Sequence, residues 1–327
     1  MRRTKIFFKE LFIDTWKTAV LMFKIMIPVS IGVKILQETG AIEYIGIALA
    51  PLMKLVGLPG EMGLVWGTCM ITNLYGGVIA FMNLAPVYHL SVAQTTVIFL
   101  MMLVAHTFPL ELQIVRKAGV KYITMFIFRF GFAFIMGFVL NLGYSLFSIL
   151  QHPAIITWKR EVVANPTWLQ WALGELKNYG MIMLFIFSLL LLIKILKKIG
   201  VIDWITQRLS PILRLMGIGS EVTTIAIIGI TLGIVYGGVL IINESKNKNI
   251  NKRDIFYCLA LMGLCHSLIE DTILMLALGG HYSGILIFRL IASFLIIWAI
   301  VKITSKFSDA KFIKYFLVKE KPNVAND

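Results

Sequence analysis

Charged residues are scarce in this sequence. Only 15% of its 327 residues are Asp, Glu, Lys or Arg, whereas a soluble domain carries about 25%. Hydrophobic residues make up 58% of the chain, and the mean hydropathy is +0.85. The three cysteines, Cys69, Cys258 and Cys265, lie in apolar segments without a Cys-x-x-Cys pair. This composition excludes an ordinary soluble domain, a disulfide framework and a zinc ribbon.

The sequence also lacks recognisable motifs for soluble chemistry. Nothing in it resembles a nucleotide-binding loop, a Ser/His/Asp triad or a His-Glu-x-x-His motif. The net charge of +14 comes largely from basic residues in short loops and tails, which is the distribution expected of a multi-pass membrane protein. We therefore expect neither an enzyme nor a nucleic-acid-binding protein, and no cofactor.

Long apolar runs predict transmembrane helices. They occupy Thr18–Leu36, Met181–Ile199, Ile225–Ile242 and Gly284–Ile300, and such lengths suffice to cross a bilayer. The fold class predicted is all-α, a polytopic integral membrane protein surrounded by lipid. Residues 1–15 are basic and amphipathic, and we expect them at the cytoplasmic membrane surface. Residues 306–327 form a basic tail that is also expected in the cytoplasm.

The chain contains an internal repeat of about 130 residues. Ten of 24 positions are identical between Lys34–Gly57 and Lys194–Gly217, at an offset of 160. The same offset aligns His106 with His266. Because a repeat must be recognised before a fold is assigned, we divide the chain into repeat 1 (16–149), a Trp-rich linker (150–178) and repeat 2 (179–305). Each repeat begins with a span, followed by an interfacial helix at 41–56 or 201–216.

The glycine-rich segments 61–83 and 222–243 allow two topologies. Each is long enough to cross once, or each folds as a re-entrant hairpin whose broken backbone lines protein. The basic residues decide between them: loops 84–92 and 276–283 have none, whereas their counterparts 244–253 and 112–121 have several. This opposite bias favours two inverted repeats of three crossings, one hairpin and one interfacial helix each. Both termini are then cytoplasmic, in a cell membrane.

Ionisable residues inside the predicted spans are candidates for a buried site, since such groups usually face the bundle interior and pair. His106 and His266 fall near mid-membrane, and Glu270 follows His266 by one helical turn. The repeat suggests two ion pairs, which either pin helices together or serve a site. These are Glu111 with Arg129 and Asp271 with Arg289.

The hairpin tips are a second group of solute-binding candidates. They comprise Thr72, Asn73, Tyr75, Gly76 and Gly77, and in repeat 2 Tyr236, Gly237 and Gly238. Glycine pairs allow unusual backbone angles, so free amides and carbonyls are expected there. Metal ligands are conceivable from Cys69, Cys265, His106, His266 and Glu270 together, but the spacing matches no metal motif and none is predicted.

These residues resemble a known family. A helix with Pro and a following Gly, then Gly-Glu-Met-Gly, Asn-Leu-Tyr-Gly-Gly and His-Thr or His-Ser, is similar to the nucleoside recognition (Gate) domain. That family covers the Gate segments of FeoB ferrous iron transporters, spore maturation membrane proteins and relatives of concentrative nucleoside transporters. The resemblance spans residues 16–305 and implies a solute site at hairpin tips and unwound helices.

The resemblance leaves three functional hypotheses. The first is a transporter or permease for a small polar solute, nucleoside-like by family, working as a single chain or as a homo- or hetero-oligomer. The second is a membrane scaffold without transport, as in the spore maturation proteins. The third is passage of a divalent metal such as iron.

Overall fold

The computed structural model describes residues 2–155, 167–245 and 250–318. Within them the chain is helical, with two isolated β-bridges and no strand. Repeat 1 contains α1 (Arg2–Glu38), α2 (Ala41–Leu55), α3 (Met62–Ile71), α4 (Leu74–Tyr88), α5 (Val92–Val104), α6 (Phe108–Lys117) and α7 (Tyr122–Leu146). Repeat 2 contains α8 (Trp168–Lys198), α9 (Val201–Leu215), α10 (Ser220–Leu232), α11 (Ile234–Glu244), α12 (Lys252–Cys265), α13 (Glu270–Ala277) and α14 (Arg289–Thr304). A π-helical turn (Ser283–Phe288) leads into α14, and α15 (Asp309–Phe316) ends the described chain.

Among the described residues, five helical segments are long and apolar enough to cross a membrane. They are 92–117, 122–146, 168–196, 252–277 and 283–304. A sixth arises if the end of α1 is counted with α2, from which it is bent by 95°. Gly40 makes this corner possible, because it adopts a left-handed φ of 68°, and Gly200 does the same between α8 and α9 with a φ of 77°. The chain is therefore an all-α polytopic membrane protein.

The two repeats are inverted relative to each other. Their first helices, α1 and α8, pack side by side with Ser30 Oγ donating to Glu175 Oε2 at 2.8 Å and Asp14 Oδ2 bound to Lys194 Nζ at 2.7 Å. The contact residue on α8 has a lower number where the contact residue on α1 has a higher one, so α1 and α8 are antiparallel. Equivalent helices of two parallel repeats would run in the same direction. The inverted arrangement predicted from the loop charges is thus the one observed.

The glycine-rich segments form helical hairpins. Arms α3 and α4 pack against each other and reverse direction at Thr72 and Asn73, and α10 and α11 reverse at Gly233. Arms of 10 to 15 residues rise about 15–22 Å, which is too short for two full crossings. The re-entrant alternative therefore holds for both repeats.

Burial separates central from peripheral helices. In the apolar 18-residue core of segments 92–117 and 252–277, 72% is buried, whereas in that of 122–146 and 283–304 only 33% and 28% is buried. Exposed side chains on α7 and α14 are large and apolar, such as Ile127 and Leu295, as expected of surfaces that contact lipid. The broken crossings α5–α6 and α12–α13 therefore form the protein core.

Two boundaries differ from the sequence prediction. Helix α1 runs without interruption through residue 16, where a surface segment was expected to end. Pro28 lies inside this helix and does not end it, so α1 continues from Arg2 to Glu38. Helix α8 begins at Trp168, inside the predicted linker, since Trp171 is buried and Glu175 bonds Ser30. Residues 156–166 of that linker and 319–327 of the tail lie outside the described chain.

Candidate functional site

The two central crossings are broken at equivalent positions. Helix α5 ends at Val104 and α6 begins at Phe108, while α12 ends at Cys265 and α13 begins at Glu270. Thr107 and Ser267 adopt left-handed φ values of 52° and 48°, which are uncommon for residues other than glycine. Each break thus frees backbone groups in the middle of the protein.

The hairpins satisfy part of this freed backbone. The Thr107 amide donates to the Cys69 carbonyl of α3 at 3.1 Å, and the Leu268 amide donates to the Ile230 carbonyl of α10 at 2.8 Å. Both contacts join a hairpin arm, near its tip, to the broken crossing of the same repeat. The tips and the breaks therefore form one connected region in each repeat.

His106 and His266 meet between the repeats. Their Nε2 atoms lie 3.0 Å apart, and both side chains are almost fully buried. On the opposite side of each ring, Nδ1 lies 2.9 Å from the Met102 carbonyl or 2.8 Å from the Met262 carbonyl. Because a carbonyl only accepts, Nδ1 carries the hydrogen in both rings. The two Nε2 atoms consequently face each other as acceptors when both rings are neutral.

Two carboxylates complete the centre. Oε1 of Glu111 lies 3.5 Å from His106 Nε2 and 3.3 Å from His266 Nε2. A carboxylate oxygen of Asp271 and one ring nitrogen of each histidine all lie within 4.8 Å of one another. All four side chains are buried, so we name His106, His266, Glu111 and Asp271 the central cluster.

A buried arginine holds each broken crossing. Arg129 donates Nε to the Val104 carbonyl at 2.9 Å, and its NH1 group contacts Glu111 Oε2. Arg289 donates Nε to the Leu264 carbonyl at 3.0 Å and its NH2 group to the carbonyls of His266 and Leu103. These bonds satisfy carbonyls that the ended helices leave without a partner.

The predicted pair between Asp271 and Arg289 is not formed. NH1 of Arg289 has no hydrogen-bonding partner among the described residues, and Asp271 joins the histidines instead. Asp271 occupies the position equivalent to Glu111 but is one methylene shorter, so its carboxylate does not reach the guanidinium. The repeat therefore holds for backbone positions and not for this ion pair.

Tyr75 and Glu270 connect the repeats beside the central cluster. The Tyr75 hydroxyl on α4 donates to Glu270 Oε1 at the start of α13, at 3.3 Å. Both residues were solute-binding candidates in the sequence, 195 positions apart. Their contact places the first hairpin against the second broken crossing.

The tip residues serve local structure. Thr72 Oγ1 donates to the Thr68 carbonyl at 2.7 Å, and Asn73 Oδ1 accepts from the Gly76 amide at 2.9 Å, which caps α4. The backbone of Tyr236 lies in α11, and its side chain lies outside the described part. These contacts give Thr72 and Asn73 a defined structural role.

The paired glycines lie in helices and provide close packing. Gly76 and Gly77 lie near the start of α4, and Gly237 and Gly238 near the start of α11, and none of the four has a positive φ. A Cβ on Gly77 would lie 2.5 Å from Cys69 Cβ. The expectation of unusual backbone at these glycines is thus wrong, because what they supply is room for the facing arm.

Adding a methyl group at Gly237 is therefore expected to destabilise the protein by about 1–3 kcal/mol. Its Cβ would lie 2.7 Å from Gly229 Cα and 2.7 Å from Met262 Cε. Thermal unfolding of Gly237→Ala in detergent, compared with wild type, measures the effect. Gly131→Ala is the matched control, since nothing lies within 4 Å of that Cβ. Equal melting temperatures for both variants would contradict this packing role.

A polar cavity lies at one end of the molecule. Its volume is about 410 Å³, and it is lined by residues that include Gly57, Ser91, Gln94, Asn141 and Gln151. Ser91 caps the start of α5, about 20 Å along the helix axis from His106. None of the residues that line this cavity belongs to the central cluster, so the two are separate.

Sequence reasoning identified the histidines, both arginines and Glu111, and it missed the backbone partners. The carbonyls of Met102 and Met262 carry no side-chain signal. A hydroxyl residue follows the histidine in each repeat, Thr107 in the first and Ser267 in the second. This repeated pair was the sequence signal that could have indicated a break. Asp271 was assigned to an ion pair, because no periodicity shows which way its carboxylate turns.

Comparison with known proteins supports the membrane assignment. The chain is similar to "Uncharacterized membrane protein YvoD" of Bacillus subtilis (strain 168), with 26% identity over 281 residues that cover 85% of this chain and 88% of the relative. No protein-family model matches the chain. No solved structure matches it. The resemblance to Gate domains therefore stays a prediction, whereas the membrane character is shared with this relative.

Proposed function

We propose that the protein is a transporter or permease that moves a small polar solute across the cell membrane through the central cluster. The distribution of basic residues in the loops favours a cytoplasmic location for both termini. No catalytic step is part of this proposal. The central cluster would receive the solute from one side and release it to the other as the repeats move.

One observation carries the proposal. Two broken crossings and two hairpins, one of each from each repeat, meet at a buried cluster of two histidines and two carboxylates. Ionisable groups at this depth are costly, and they commonly mark solute or ion pathways. Discontinuous helices around a site between inverted repeats are a recurring construction of secondary transporters.

The symmetry of the site suits alternating access. His106 and His266 approach each other across the repeat interface. The carbonyls that accept from their Nδ1 atoms occupy equivalent positions in the two repeats, and so do the carbonyls that accept from the two buried arginines. If the repeats exchange conformations, the outward-open and inward-open states become related by a pseudo-two-fold rotation about an axis in the membrane plane.

The direct test is uptake by purified protein in liposomes. We expect a solute from a panel of nucleosides, small polar metabolites and divalent metal ions to enter faster than in protein-free liposomes. We expect His106→Ala and His266→Ala each to reduce that uptake by more than about tenfold, as losing a group that contacts the solute would.

His89→Asn is the matched control for these variants. His89 is an exposed histidine at the end of α4 with a left-handed φ of 44°, and asparagine tolerates that conformation. Unaltered uptake in both His106→Ala and His266→Ala would overturn the assigned pathway. Absence of uptake across the panel by folded protein would favour a scaffold without transport.

A further inference from the structure

We infer that the central cluster is a binding site for one divalent transition-metal ion. His106 Nε2, His266 Nε2 and Glu111 Oε1 would bind it directly, with Asp271 as the fourth ligand. This inference specifies the class of solute for the proposed pathway. Movement of the ion across the membrane rests on the proposed function, whereas binding of the ion does not. Binding itself is tested separately below.

The first argument is the hydrogen-bonding state of the histidines. Each Nδ1 donates to a main-chain carbonyl, so each Nε2 presents a lone pair. Two lone pairs 3.0 Å apart repel unless a positive centre lies between them. Neutral imidazole with a free Nε2 is the form in which histidine binds metals.

The second argument is distance. The three donor atoms form a triangle with sides of 3.0, 3.3 and 3.5 Å. Ligands held about 2.0–2.1 Å from a tetrahedral ion are separated by about 3.3 Å. One point therefore lies about 2 Å from all three atoms, which is a metal–ligand bond length. The alternative to a metal ion is one proton shared between the two Nε2 atoms. That arrangement needs only the two nitrogens and does not require Glu111 to lie close to both of them.

The third argument is the set of groups behind the ligands. Metal-binding histidines usually donate their other ring N–H to a carbonyl or carboxylate, which fixes the ring. The carbonyls of Met102 and Met262 do so here. The second oxygen of Glu111 is held by Arg129, so Oε1 stays directed at the histidines. Every direct ligand except Asp271 thus has a supporting partner in the structure.

The ligand types select the class of ion. Two imidazole nitrogens with one or two carboxylate oxygens suit Zn²⁺, Fe²⁺, Co²⁺ or Ni²⁺, whereas Ca²⁺ and Mg²⁺ require mainly oxygen. Burial favours a single ion over an organic solute, because the two histidines lie within 3.5 Å of each other and of Glu111, and all four side chains are less than one-tenth exposed. A nucleoside would have to separate them first.

The experiment is a Co²⁺ titration of the full-length protein, purified in detergent and freed of metal with a chelator. We expect one Co²⁺ per chain with the visible absorption of four-coordinate cobalt, displaced by Zn²⁺. His106→Ala and His266→Ala should each weaken binding by about 100-fold or more, because loss of a supporting group alone costs 10–100-fold. Asp271→Asn should weaken it less, and His89→Asn should leave it unchanged.

Two outcomes would overturn the inference. One is wild-type protein that keeps its unfolding transition but binds neither Co²⁺ nor Zn²⁺ stoichiometrically, as expected if the histidines share a proton. The other is equal binding by wild type and the double variant His106→Ala, His266→Ala. If either alanine variant fails to fold, the glutamine variant at the same position, His106→Gln or His266→Gln, replaces it, because glutamine keeps a polar side chain of similar size.

The same protein in liposomes containing a Zn²⁺-sensitive dye separates binding from transport. Stoichiometric binding without Zn²⁺ entry supports the metal site and overturns transport of the ion. Uptake of an organic solute by metal-free protein that binds no metal supports the proposed function and overturns the metal site.

Discussion

Replacing Arg129 with methionine is expected to destabilise the folded protein by about 3–5 kcal/mol, the cost of leaving a buried charge without its partner. Arg129 is fully buried, contacts Glu111 and donates to the Val104 carbonyl at the end of α5. Methionine fills a similar volume but supplies no donor. Thermal unfolding in detergent should show a lower melting temperature and loss of the folded peak on gel filtration.

A second substitution separates charge from packing. Adding Glu111→Gln to Arg129→Met removes the unpaired carboxylate, and we expect it to recover a large part of the lost stability. Arg116→Met is the matched control, because Arg116 is exposed on α6 and surface changes usually stay within about 0.5 kcal/mol. Equal melting temperatures for Arg129→Met and Arg116→Met would show that Arg129 does not hold the break.

Replacing Gly233 with valine is expected to disrupt the second hairpin, at the upper end of the 1–3 kcal/mol that such backbone strain costs. Gly233 is the hairpin tip and has φ 101° and ψ 159°, a region that is essentially restricted to glycine. An added Cβ would also lie 2.8 Å from Ser267 Oγ. The strain would act directly on the break that carries His266.

Unfolding and Co²⁺ binding should both report this change. We expect Gly233→Val to lower the melting temperature and to weaken binding at the central cluster. Gly131→Val in α7 is the matched control, since nothing lies within 4 Å of an added Cβ there and valine is a better helix former than glycine. A Gly233→Val protein that melts and binds like the control would contradict a strained tip.

The repeat in the sequence predicted much of the architecture. An offset of 160 placed the two histidines, two arginines and two interfacial helices in equivalent positions, and the opposite loop charges predicted inversion. These features are readable because helix periodicity and charge distribution are local properties of a membrane sequence. The paired glycines were misread, because a glycine that creates room for a neighbour looks the same in sequence as one that bends the chain.

By itself, the sequence determined an all-α membrane protein and favoured two inverted repeats, each with a hairpin; the breaks in the central crossings came from the structure. Only the tertiary structure decided that His106 and His266 touch through Nε2, that Glu111 Oε1 lies within 3.5 Å of both, and that Asp271 turns toward them instead of to Arg289. The reason is physical. Composition and periodicity specify which residues are buried, whereas the donor atoms of a site are brought together by packing between segments 160 residues apart, at a precision of a single methylene group.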